Sequence, residues 1–238
     1  PTHDTGIDGR LGVERRFSTR WKATAELGGR GWEHADDRVL ARGVLEYAPD
    51  ENAVAALEVD HGDQLEHSYS LESVQQGVGR TGGKLSYWRQ LSRAWEGYGE
   101  VGGAWLSDSN GEVTMGGSVA WRPFPAVDVQ IAMALDAMHY QDLSPYYYSP
   151  DLDLGGTLSV MGRVPIHGAL AFVFDAGGGA GFSQEQGASS FGPAYRAKVG
   201  LRWDRGGFSA ALDAARSQSV RESSYTTHEA ALRLSWSF

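Results

Sequence analysis

Apolar and polar residues alternate strictly, one for one, along most of this chain. In the last segment Ala230, Leu232, Leu234, Trp236 and Phe238 fall on one face, and Glu229, Ala231, Arg233, Ser235 and Ser237 on the other. Tyr195, Ala197, Val199, Leu201 and Trp203 alternate with Arg196, Lys198, Gly200, Arg202 and Asp204. Val127 to Asp136, Trp21 to Gly28 and Ile7 to Glu14 repeat the pattern. Period two is the signature of a β-strand with one apolar and one polar face. The pattern therefore predicts an all-β chain of many short strands.

A soluble sandwich also alternates, so the ends of the strands decide between the two. Trp21, Tyr47, Trp95, Trp121, Trp203 and Trp236 stand at strand ends on the apolar side, where a membrane barrel carries its interfacial girdle. Short turns and longer loops also alternate in order. The expectation is a transmembrane antiparallel up-and-down β-barrel.

A repeat sets the direction of the strands. Phe17-Ser-Thr-Arg-Trp21 leading to Glu26-Leu-Gly-Gly29 returns 74 residues later as Leu91-Ser-Arg-Ala-Trp95 leading to Glu100-Val-Gly-Gly103. Val39 and Val113, Gly43 and Gly117, Tyr47 and Trp121, and Pro49 and Pro123 continue the match. The repeat reads as barrel periodicity within one domain, 1–238. It places tight turns near 17–20, 49–52, 92–95, 123–126, 164–167 and 204–207. Longer loops are expected near 33–37, 66–80, 107–111, 141–152, 179–191 and 220–226. Barrels of the outer membrane put short turns in the periplasm, so the C-terminus is expected to be periplasmic.

This count gives thirteen strands, the first near 6–16. An even number is the rule for single-chain bacterial barrels. The expectation is that at least one N-terminal strand lies outside this chain, the whole barrel having 14 or 16. The alternative is a fourteenth strand within 66–78.

Composition removes several functions. The chain has 238 residues, 32 Gly, 8 Pro and no Cys. Disulfide, zinc–thiolate and thiol-nucleophile chemistry are absent with the cysteines. A net charge of −9 argues against nucleic acid as a partner. Mean hydropathy is −0.37, which is no argument against a membrane, because a barrel averages its lipid and lumen faces. Pro1 to Thr5 is not a signal peptide, so an exported protein implies a removed signal or a longer polypeptide.

The polar faces predict a wet interior. Glu26, Arg30, Glu58, Asp60, Glu100, Arg122, Asp128, Asp136, Arg163, Asp175, Arg196 and Arg202 are expected to line a pore, with cross-strand pairing as the plain structural role of each. Inward Gly28, Gly102, Gly116, Ala132, Ala134 and Gly200 are expected to leave the lumen open. Tyr146, Tyr147 and Tyr148, followed by Ser149-Pro150, suggest either a packed loop or a stacking and gating surface for sugar. No Ser–His catalytic arrangement is recognisable among the seven His. Asp60-His61-Gly62-Asp63 reads as a solvated loop rather than a metal site, so no catalytic residue, metal or cofactor is expected.

The Tyr147-Tyr148-Ser149-Pro150 loop, the descending strand after it, a Gly-rich hairpin and the closing aromatic strand resemble the C-terminal porin region of exopolysaccharide-export proteins, over about Met138 to Phe238. That family comprises secretion porins for cellulose, poly-N-acetylglucosamine and Pel-type polymers. The resemblance implies a sixteen-stranded outer-membrane barrel of a Gram-negative bacterium that conducts a biofilm polysaccharide to the exterior. It also implies an upstream periplasmic domain of tetratricopeptide repeats that meets the inner-membrane polysaccharide synthase complex. No such helical repeat occurs here. Trp236 and Phe238 resemble the terminal signal read by the barrel-assembly machinery, and the girdle implies contact with outer-membrane lipids. A general small-solute porin or scaffold barrel is the alternative function; a lipid hydrolase ranks last.

Overall fold

The computed structural model describes residues 6–33, 35–64, 71–124, 128–205, 208–219 and 225–236, with 217–219 and 225–236 as backbone. Among the described residues there are thirteen strands: β1 Gly6–Arg16, β2 Trp21–Trp32, β3 Arg38–Asp50, β4 Ala53–Asp63, β5 Gly79–Gln90, β6 Trp95–Leu106, β7 Gly111–Trp121, β8 Asp128–Tyr140, β9 Leu152–His167, β10 Leu170–Glu185, β11 Ala188–Arg205, β12 Phe208–Ser219 and β13 Tyr225–Trp236. A single helical turn, α1 Leu71–Gln75, sits between β4 and β5.

Each strand pairs with its sequence neighbours, antiparallel, in the order β1 to β13. This is the up-and-down meander that alternation predicts. Among the described residues β1 and β13 are not paired with each other, so the sheet has two open edges.

Register separates the two faces. Leu11 faces Leu27, Leu57 faces Leu85, and Val101 faces Met115, all on the outer side. These side chains are exposed to a large degree: Leu11 85%, Leu57 51%, Val101 49%. So much apolar surface is incompatible with water and fits lipid. On β6 the outer face runs from Trp95 to Trp105. Ten steps of about 3.4 Å give about 34 Å along the strand, or about 25 Å across a bilayer at a tilt near 40°. That is the height of a barrel's apolar band.

Three expectations change. The loop at 179–191 is instead a hairpin: β10 runs to Glu185 and β11 starts at Ala188, joined through Gln186 and Gly187 with φ of 50° and 77°. Two positive φ values suit a tight hairpin turn. The glycines at 177–179 and 181 belong to a strand, not a loop. The turn at 164–167 lies at 168–169, with Gly168 at φ 53°. There the β9–β10 register shifts, so Ile166 bulges beside Pro165, which has no N–H to give to a ladder. Finally, the described part of 66–78 holds α1 and no fourteenth strand.

The band makes a quantitative prediction. Val101→Arg, near the middle of the lipid face, should destabilise the folded barrel by about 2–4 kcal/mol in bilayer unfolding titrations. The same change at Trp105, on the rim, should cost less than about 1 kcal/mol of charge penalty.

Candidate functional site: the charged inner wall

Because strand partners share a face, the inner residues line up in rows. Glu26 on β2, Arg42 on β3, Glu58 on β4, Lys84 on β5 and Glu100 on β6 alternate in sign across five strands. Arg42 lies 2.6 Å from Glu58 and 3.8 Å from Glu26. Lys84 lies 3.9 Å from Glu58 and 3.5 Å from Glu100. Tyr98 donates its hydroxyl hydrogen to Glu100. The result is a zigzag ladder of charge that no single acid or base terminates.

Further ladders flank it. Arg80 bridges Asp60 at 2.6 Å and Glu112 at 3.4 Å. Lys22 holds Glu14 and Glu46. Arg30 donates to both carboxylate oxygens of Asp63. Glu96 accepts from Arg122 at 3.1 Å and Gln130 at 2.5 Å. On the far wall Arg163 and Arg202 share Asp204, Arg196 meets Asp175, and Lys198 meets Asp213. The half-exposed pairs, such as Arg163–Asp204 and Arg196–Asp175, contribute about 0–1 kcal/mol each, whereas Arg30–Asp63 and Arg80–Glu112 are buried, and removing one partner there would strand a buried charge. Their effect is geometric, in that they hold long side chains along the wall.

Glycine provides the surface they lie on. A Cβ at Gly82 would stand 2.4 Å from the Arg80 guanidinium and 2.9 Å from Asp60. At Gly155 it would meet the Asp136 carboxylate at 2.5 Å, and at Gly200 that of Asp213 at 2.4 Å. At Gly28 it would meet the Gly9 carbonyl at 2.2 Å and Arg10 at 2.8 Å. The inward glycines therefore do not simply leave space, as sequence suggested. The space above them is filled by flattened charged side chains, and it is this flattening that keeps the centre clear. A concavity of about 620 Å³ remains, lined among others by Arg42, Glu58, Asp60, Lys84, Glu100 and Asp136.

At the loop end the wall is covered. Val78, Leu106, Tyr140 and Tyr147 form a buried cluster with Met138 and Tyr146 against it. Gln64 donates to the Tyr140 hydroxyl at 3.0 Å. Asn110 donates to Tyr147 at 3.0 Å and to the Asp142 carbonyl at 2.6 Å. Tyr147 in turn donates to Asp108 at 2.9 Å. Loops β4–β5, β6–β7 and β8–β9 are thus one packed cap. Burial first, then the bond to Asp108, pushes the Tyr147 phenol up to about 12.

Of the pore residues expected from sequence, Glu26, Arg30, Glu58, Asp60, Glu100, Arg163, Asp175, Arg196 and Arg202 lie on the inner face in the pairs given above; Arg122 follows β7 and meets Glu96, Asp136 lies against Gly155, and Asp128 stands exposed at the start of β8. The three tyrosines separate. Tyr147 is 5% exposed and packs at 5.7 Å from Tyr140, so its ring offers no open face. Tyr148 bonds Asp153 and Ser183. The Asp60–Asp63 stretch is strand β4, not a solvated loop: Asp60 and Asp63 hold arginines, and His61 lies 2.8 Å from Thr81. Among the described residues no group of His, Asp and Glu is arranged for a metal. Trp236 ends β13, and Phe238 lies outside the described residues. Arg80, Lys84 and Glu112 were missed, as were Trp88 and Tyr98, which are register partners on the inner face. Their even numbers in β5, β6 and β7 carried the signal.

No protein-family model matches the chain, and no curated protein does. Among solved structures it is similar to a bacterial polysaccharide outer membrane secretin, with 14% identity, TM-score 0.77, and coverage of 98% of this chain and 80% of that one. It also matches the translocator domain of the autotransporter NalP from Neisseria meningitidis, at 14% identity, TM-score 0.41, and coverage of 99% and 80%. The first likeness, with the meander, establishes the outer-membrane barrel fold.

The cap has a pH signature. The folded Tyr147 phenol titrates above its unfolded value of 10.0. Its contribution to stability is fully present below pH 10 and is lost as the pH rises towards 12. Hydrogen exchange of the 141–151 loop should accelerate over that window. Tyr147→Phe should remove the pH step and loosen the loop at all pH values by about 0.5–1.5 kcal/mol, because Asp108 and Asn110 each lose one hydrogen bond and keep others.

Proposed function

We propose that this protein is an outer-membrane channel that conducts a secreted exopolysaccharide from the periplasm to the cell exterior. The observation that carries the reading is the inner wall: an ion-pair ladder laid flat on glycine around an open concavity. Such a wall is wet, rigid and free of a dry plug. Paired charges present hydrogen-bonding groups to a hydroxyl-rich chain without a single deep well to trap it. Trp88 and Tyr98, side by side on that wall, supply aromatic faces of the kind that sugar rings stack on. The similarity in fold to a polysaccharide secretin supports the same reading.

In this proposal the long loops face outward and the C-terminus is periplasmic. The barrel is completed by at least one strand between β13 and β1, and a periplasmic domain upstream meets the synthase complex. Trp236 and Phe238 serve the assembly machinery. The alternative, a porin for small solutes, draws on the packed cap, which narrows the outer mouth.

Two experiments test this. Glu26→Gln, Glu100→Gln and Asp175→Gln together leave Arg42, Lys84 and Arg196 short of a counter-charge. Polymer export should fall by about tenfold, the scale of local electrostatic enrichment, with normal levels of barrel in the membrane. Unchanged export would refute a route along these acids, and large conductance indifferent to added polymer would favour the small-solute porin. For closure, Leu11→Cys and Leu232→Cys should fail to bridge. A disulfide between them needs Cα atoms within about 7 Å, and its formation would mean that thirteen strands close unaided.

A further inference from the structure

The 74-residue repeat is reproduced atom for atom at the turn end of the barrel. Phe17 and Ser18 both donate to the Trp21 carbonyl, at 3.0 and 3.4 Å; Leu91 and Ser92 do the same to Trp95, at 2.9 and 3.1 Å. The Ser18 hydroxyl accepts from the amides of Arg20 and Trp21, at 3.1 and 3.2 Å. Ser92 accepts from Ala94 and Trp95, both at 3.2 Å. Ala48 donates to the Arg20 carbonyl, and Arg122 to that of Ala94, each at 2.8 Å.

Side chains repeat with the backbone. Trp21 packs at a tilt of 34° against Tyr47, with ring centroids 4.6 Å apart, and Trp95 stacks on Trp121 at 5.9 Å, both on the lipid face. The turn tip exposes one apolar side chain, Phe17 at 60% or Leu91 at 62%. Each unit carries two exposed arginines at comparable places, and the first has Arg16 besides. Arg15 and Arg89 hold equivalent lipid-side positions, the first 5.5 Å over Phe17, the second bonded to the Tyr87 hydroxyl at 3.3 Å. Arg20 and Arg93 stand in the turns themselves, one position apart in the repeat.

We infer that each repeat is a binding site for the headgroup of an anionic phospholipid, in the leaflet at the turn end. An exposed apolar tip and a stacked aromatic pair fix the depth of the turn at the boundary between hydrocarbon and headgroups. Two guanidiniums at that depth meet phosphate, for which their planar donor fork is suited. Among the described residues none of these four arginines is in an ion pair with a carboxylate. Among the described residues the loops at the opposite end carry Asp36, Asp37, Asp108, Asp142 and Asp151, whose carboxylates would repel an anionic headgroup. The sites belong to the barrel as a membrane protein and stand whether or not it conducts a polymer.

The test uses the purified barrel in nanodiscs of phosphatidylcholine mixed with phosphatidylglycerol. Native mass spectrometry should recover up to two phosphatidylglycerol molecules per barrel in preference to phosphatidylcholine. The preference should weaken in 0.5 M salt for the unaltered protein, as screened charge requires. The variant Arg15→Gln/Arg20→Gln/Arg89→Gln/Arg93→Gln should lose it by at least about tenfold, given about fivefold per basic residue at a lipid surface. The four Arg→Lys changes should keep part of it. Equal recovery of both lipids, a preference indifferent to salt, or one unchanged in the Gln variant would each overturn the inference. Conductance measured on the same preparations reports on the channel separately.

Discussion

Inside hydrocarbon a peptide group has no water to bond, so every N–H and C=O must find another strand. That constraint organises this molecule. It forces thirteen consecutive strands into one unbroken ladder, β1 to β13, and a ladder forces side chains to alternate. The lipid and the lumen are then sorted by parity alone. Val101 faces lipid because it is odd in β6, and Glu100 faces the lumen because it is even. Mean hydropathy reports neither face, since it averages the two.

Once the inner face is committed to water, its charges need a geometry, and the register provides it. Cross-strand partners stand close enough to pair, so acids and bases that alternate from strand to strand form a ladder across the wall. Long side chains in such a ladder would ordinarily reach into the lumen. At several points they lie down instead over glycine, on the same strand or the next: Gly82 under Arg80 of its own strand and Asp60 of β4, Gly155 under Asp136, Gly200 under Asp213. Charge and glycine are therefore one device. The composition, 32 Gly with 51 charged residues, is the chemical trace of it.

Much of this was legible in the sequence, for a reason that also marks where legibility stopped. Alternation is local, so β1 at Gly6–Arg16, the thirteen-strand meander and the inward set from Glu26 to Arg202 follow from reading two residues at a time. Partnership is not local. Arg80 and Lys84 were overlooked although Asp60, Glu58 and Glu100 were named, because their role depends on which strand stands beside β5. Glycine misled for the same reason. At 179–181 the chain was read as a loop, whereas in β10 Gly179 faces strand β9 so closely that a Cβ would strike the Gly156 carbonyl. The Tyr146–Tyr148 loop was recognised as unusual, but its packing needed Asp108 and Asn110 from a loop some forty residues earlier.

The two ends of the barrel solve different problems, and the difference is visible in how they are built. At the turn end the chain must reverse within a few residues at the edge of the hydrocarbon. A serine that bonds the two amides ahead of it does this with little material, and the same solution appears twice, 74 residues apart, with its aromatic pair and its arginines. Identity of geometry at two places is what a flat, uniform boundary selects. At the loop end there is no such boundary. Three loops of different length fold over one another through Tyr140, Tyr147 and Asn110, and no unit of the packing recurs. Two turns at one rim therefore share a local solution set by a few residues of their own, whereas the other rim is built from contacts between loops distant in sequence.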